Sequence, residues 1–166
     1  MSEKASWKIQ FKVDKYEGDF KSEKEILGAG VKPFETVETE KNMLLNEGIN
    51  EMWDLICGGS ANAYNNANSY IGVGTGTAAA TAGQTGLQGT TKTYKAMDTG
   101  YPTSGTSQKA TWKSTYASGD GNHAWQEITV CNSNSDSGDN MNRKVQDMGT
   151  KSAGQTWVAT VEITLS

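Results

Sequence analysis

The residues that could do chemistry are few, and each also has an ordinary structural explanation. The closest approach to a phosphate cradle is Gly72-Val73-Gly74-Thr75-Gly76. A cradle needs a helix N-terminus straight after its glycines, because the free backbone N–H groups there bind the anion. The next residues are Thr77-Ala78-Ala79-Ala80-Thr81-Ala82-Gly83-Gln84, without an amphipathic pattern and without a Gly-Lys-Ser/Thr lysine. These glycines read instead as strand positions needing positive φ or close backbone approach. His123 is the sole histidine. A triad would need a nucleophile and an orienting acid beside it, and no nucleophile elbow is present. Asn134, Asp136, Asp139 and Asn140 make an oxygen-rich loop. Calcium takes roughly six to eight oxygens, the spacing is not that of an EF-hand, and turn chemistry explains the same residues. Tyr64, Tyr94, Tyr101 and Tyr116 could stack on sugars, although core or interface packing is the commoner reason for such rings. No acidic pair stands out as a glycosidase would require. Cys57 and Cys131 match no metal spacing; they read as two buried free thiols, with a single disulfide as the alternative. No residue is assigned a catalytic, cofactor-binding or metal-binding role, and the chain reads as a non-enzyme.

The elements that must position these residues are lean. The chain has 166 residues, enough for one domain, with 35% hydrophobic residues and 19 glycines. That balance means short strands joined by many turns. The 5 tryptophans are the means of anchoring a small core. The net charge of −4 gives no basic field for nucleic-acid phosphates. Lys4, Lys8, Lys12, Lys15, Lys21 and Lys24 are interleaved with acids, which suits a solvated strand face. Met1-Ser2-Glu3-Lys4 has no apolar run behind it, so neither a signal peptide nor a membrane span is expected.

Trp7, Ile9, Phe11 and Val13 alternate with polar residues and mark a half-buried strand. Residues 14–32 read as a loop or mobile arm, and Phe34 to Glu40 as a second, more exposed strand. Residues 42–57 form the one strong helix, with Asn42 as N-cap and Gly58-Gly59 as stop signal. Its stripe of Leu45, Ile49, Met52, Trp53 and Ile56 is expected to pack inward. Thr75 to Gly89 has Leu87 as its single apolar anchor and must wrap over the surface. Further strands are expected at Ala110–Tyr116, Trp125–Cys131 and Arg143–Met148. The last, Trp157 to Leu165, alternates most clearly and is placed centrally in a sheet. The fold class is mainly β: a β-sandwich or jelly-roll-like domain over 33–166 with one packed α-helix, preceded by an N-terminal strand and arm over 1–32.

The order of these signals resembles that of tailed-bacteriophage virion proteins. Asn42 through Trp53 is similar to their N-x-x-x-N-x-G-hydrophobic helix. Ile71-Gly72-Val73-Gly74-Thr75-Gly76 resembles their hydrophobic-G-x-G-T-G strand, with a small-residue stretch and lone leucine after it. Trp125-Gln126-Glu127-Ile128 resembles a later aromatic-x-E-hydrophobic strand. Met141-Asn142-Arg143 resembles a stretch with a conspicuous arginine after a turn, and Lys151 through Ser166 resembles the terminal strand. Residues 1–41 lie outside the resemblance.

The resemblance implies a non-enzymatic building block of a phage particle, assembled in the host cytoplasm and located in the virion. Capsid decoration or cementing is the first expectation; a tail, baseplate or fibre component is the second. A carbohydrate-binding module is the alternative of another class. The expected partners are the major capsid protein and copies of the chain itself in a homo-oligomer, with no nucleic acid and no membrane. The expected contact set is Trp7, Lys8, Ile9, Phe11 and Lys12, on a segment removable without unfolding the rest. Glu127 and Arg143 are expected to pair, within the sheet or across an interface.

Overall fold

The computed structural model describes residues 6–59 and 62–166. Two antiparallel five-stranded sheets enclose one core, a β-sandwich. The first sheet contains β1 (Trp7–Glu17), β2 (Glu35–Glu40), β6 (Thr103–Thr106), β7 (Lys109–Tyr116) and β10 (Gln155–Leu165). Its spatial order is β2-β1-β10-β7-β6, so the terminal strand is central, as its alternation indicates. The second contains β3 (Met43–Leu44), β4 (Tyr70–Gly74), β5 (Lys92–Ala96), β8 (Glu127–Cys131) and β9 (Asn142–Val145), in the order β3-β9-β8-β4-β5. Among the described residues no helix is long and apolar enough to cross a membrane.

Alternation on the strands builds the core directly. Ile9, Phe11 and Val13 of β1 join Ile71, Val73, Ile128 and Val130 of the other sheet within one buried cluster. Trp125 belongs to it too, edge-on to Tyr116 at 4.6 Å and to Trp157 at 4.8 Å between ring centroids. Edge-to-face packing places the positive ring rim on the negative ring face. The Tyr116 hydroxyl donates to the Ile71 carbonyl at 2.5 Å, which ties β7 of one sheet to β4 of the other.

The separate N-terminal strand and arm over 1–32 is corrected by the sheet. β1 lies between β2 and β10 and pairs with β10 from Trp7↔Leu165 to Glu17↔Gln155. Residues 14–32 are not a mobile arm either. They finish β1 and form a short helix, α1 (Glu23–Ala29), capped by the Ser22 side chain on the Glu25 N–H, with Ile26 buried. Only Met1–Ala5 of the expected arm fall outside the described residues. Strands β5 and β6 have no counterpart in the sequence pattern, because Lys92–Ala96 and Thr103–Thr106 lack buried alternation.

The main helix, α2 (Asn46–Cys57), starts later than expected. Asn42 precedes the β3 pairing, and Leu45 occupies the N-cap without a side-chain bond. More important is its rotation. Leu45 is buried, but Trp53 is 60% and Ile56 74% exposed. The face turned inward carries Gly48 and Glu51 instead. A Cβ on Gly48 would run into the Met141 backbone and lie 2.7 Å from the Asn140 carbonyl oxygen. Glu47 accepts the Asn140 N–H at 2.8 Å, and Glu51 accepts the Asn62 N–H at 2.9 Å and the Asn132 amide at 3.0 Å. Three neighbouring contacts therefore fix which side of the helix meets the sheet. The substitution Gly48→Ala should cost about 1–3 kcal/mol through overpacking, although alanine is the better helix former. Urea unfolding of the two proteins checks the sign.

Candidate functional site

Four stretches singled out in the sequence meet at one buried carboxylate. Glu127 and Arg143 are both fully buried, and the guanidinium Nε donates to Glu127 Oε2 at 2.7 Å. The pair lies within the domain. Glu127 also accepts backbone N–H groups from Gly76 at 2.9 Å, Gly89 at 2.7 Å and Gln88 at 3.0 Å. Arg143 Nη1 donates to the Ala78 carbonyl at 2.9 Å and to Gln84 Oε1 at 3.0 Å. The small-residue stretch after β4 is thus folded around an ion pair. Its backbone N–H groups do bind an anion, but that anion is the protein's own carboxylate.

The ion pair also accounts for the glycines. A Cβ on Gly74 would lie 2.6 Å from Glu127 Oε1, and one on Gly76 2.5 Å from it. Close backbone approach, not turn conformation, selects glycine at both positions. Leu87, the lone apolar anchor, is buried, and its N–H donates to Asp136 at 3.2 Å.

Asp136 is occupied by the protein as well, accepting from Lys92 and from the Tyr94 hydroxyl. Among the described residues no three His, Cys, Asp or Glu side chains are grouped to hold a metal. His123 joins Thr93 at 3.0 Å to the Ala124 carbonyl at 2.9 Å. The tyrosines divide. Tyr64 and Tyr116 are buried, and Tyr94 is half-buried on Asp136. Burial raises the pKa of all three hydroxyls. Tyr101 is half-buried and packs against the core, with Lys113 Nζ 4.7 Å from its ring centroid. Cys131 is buried and its thiol is pushed up to about 12, chiefly by burial. Cys57 is exposed, contrary to expectation, because it lies on the outer side of α2; both thiols are free.

The outer surface offers two features. The first is a groove of about 300 Å³ over the outer face of the first sheet, whose lining includes Tyr16, Tyr101, Lys12, Asp14, Glu23 and Lys113. The second is the end of the sandwich where Trp7 and Leu165 stand beside Met52 of α2. Of the expected contact set, Ile9 and Phe11 are committed to the core and cannot meet a partner. Trp7 is 41% exposed. Lys8 and Lys12 point outward, paired with Glu40 at 3.0 Å and Asp14 at 2.8 Å.

No family model matches the chain, and neither a curated protein nor a solved structure matches it.

A second buried cation, Lys151, donates to the Ala117 carbonyl at 2.8 Å and Asn122 Oδ1 at 3.0 Å. Burial lowers its pKa from 10.5 to about 8, against the opposing pull of Asp120 and Asp19. Between those values the folded chain holds fewer protons than the unfolded one, so stability should rise as pH increases from about 8 toward 10. In Lys151→Met that slope should disappear, as thermal unfolding across the range would register. Glu127→Gln should cost about 3–5 kcal/mol by leaving Arg143 buried without its counter-charge. Chemical unfolding measures the loss, and adding Arg143→Met should recover part of it.

Proposed function

We propose that the protein is a non-enzymatic structural component of a tailed-phage particle, acting in capsid decoration or cementing. What supports the reading is the convergence at Glu127. The glycine strand, the small-residue stretch, the aromatic-x-E strand and the arginine after the turn are segments that carry the resemblance, and all four contribute to one buried centre. As a set they maintain a stiff sandwich, which suits a part added in many copies to a shell. A cementing protein acts by mass action, since binding only the assembled shell stabilises that state. A tail or baseplate position uses the same properties and is the nearest variant of this reading. Fractionation of particles into heads and tails, with mass spectrometry of each, should find the chain at high copy with heads. Enrichment with tails would move it to the tail, and absence from both would overturn the virion role.

A glycan-binding reading is favoured by one observation, the groove bearing Tyr16 and Tyr101 between charged side chains. Aromatic faces beside carboxylates and amines suit a sugar ring. Binding of host-surface polysaccharide that is lost in Tyr101→Ala would support it.

Removing residues 1–32 does not test particle contact, because it extracts an inner strand. The contact role of the segment rests on its outward-facing Lys8 and Lys12. Lys8→Ala with Lys12→Ala should lower particle occupancy severalfold without changing stability by more than about 1 kcal/mol. Unchanged occupancy on purified shells would remove this segment from the interface.

A further inference from the structure

The rotation of α2 leaves part of its apolar stripe uncovered among the described residues: Met52 packs against the core and Ile49 is half-buried, whereas Trp53 and Ile56 are exposed. Ile49, Met52, Trp53 and Ile56 recur at helical spacing and share one flank. Gly48, Glu47 and Glu51 hold a different flank against the sheet. Met52 also lines a small cavity of about 140 Å³ together with Trp7 and Leu165, so the stripe continues onto the open end of the sandwich. Trp53, Ile56, Trp7 and Leu165 are each at least 40% exposed. These side chains leave on the order of 500 Å² uncovered, near the upper end for the largest apolar patch on a monomer.

We infer that this surface pairs with the same surface on a second copy of the chain, about a two-fold axis. Two observations select that occupant. The stripe itself is uncharged, and the helix acids Glu47, Glu51 and Asp54 lie off it, so two chains of net charge −4 can meet here without opposing like charges. Two such surfaces together remove about 1,000 Å², the lower bound for a specific interface. An i, i+3, i+4, i+7 stripe meeting its own copy antiparallel is ordinary helix-on-helix packing, and a two-fold makes the contact self-complementary. Asn46 and Asn50 flank the stripe and can pair across the axis. The inference stands on the isolated chain and does not depend on the virion reading.

Sedimentation equilibrium of the full chain, from micromolar to sub-millimolar concentration, tests it. The expected result is twice the 17.8 kDa chain mass, with dissociation on dilution. Ile56→Glu and, separately, Trp53→Ala should raise the dissociation constant about tenfold or more, with circular dichroism unchanged. Leu27→Glu, on the exposed side of α1, should leave the pair intact. A wild-type monomer throughout the range, an odd stoichiometry, or a dimer indifferent to both α2 substitutions would overturn the proposal. None of these outcomes would alter the head-and-tail fractionation, so the two readings fail separately.

Discussion

A carboxylate with no access to water is the constraint on which much of this structure depends. Glu127 is fully enclosed, and a buried charge is costly unless every part of it is matched. The chain matches it with one guanidinium and three backbone N–H groups drawn from the stretch after β4. A Cβ at Gly74 or Gly76 would crowd the carboxylate itself, which favours glycine at both positions. A segment almost bare of apolar residues is thereby ordered without a hydrophobic core of its own. Replacing such a pair by hydrophobic groups often leaves stability unchanged or improves it. Its contribution here is to fix one path for a loop that composition alone would leave undetermined.

The same preference for polar positioning governs α2. Hydrophobic patterning alone would turn Trp53 and Ile56 inward, yet the helix docks through Gly48, Glu47 and Glu51. Burial raises the pKa of both glutamates, against the hydrogen bonds from Asn140 and Asn62 that favour their charged forms. A domain that orients a helix by desolvated carboxylates while leaving tryptophan at the surface has given up local stability for a defined outer face.

Much of the architecture was legible in the residues. Period-two alternation located β1, β7 and β10, and the regularity of Trp157 to Leu165 placed β10 centrally, because a strand with neighbours on both sides repeats its inward face without interruption. Strands β5 and β6 were missed for the converse reason: the first is largely half-buried and the second fully exposed. The pairing of Glu127 with Arg143 was readable as a possibility, whereas its burial was not, since nothing local distinguishes a core carboxylate from a surface one. The helix stripe misled because periodicity reports where apolar residues lie and not what they face. The contact set combined residues that could not act together: in a strand, alternate side chains face opposite ways, so Ile9 and Phe11 could not share a role with Lys8 and Lys12.

The pairing of β1 with β10 also bears on how the molecule comes into being. Partners Trp7 and Leu165 stand near opposite ends of the sequence, and Ser6 and Ser166 exchange backbone hydrogen bonds at 2.6 and 3.0 Å. During synthesis β1 is made well before β10 and waits with one long edge unmatched until β10 has been translated. The first sheet therefore cannot assemble progressively behind the ribosome, and its closure is a late, non-local event of the kind that makes β-proteins slow to fold. The acidic strand β2, already able to pair with β1 along its other edge, is the natural escort for that exposed strand in the interval.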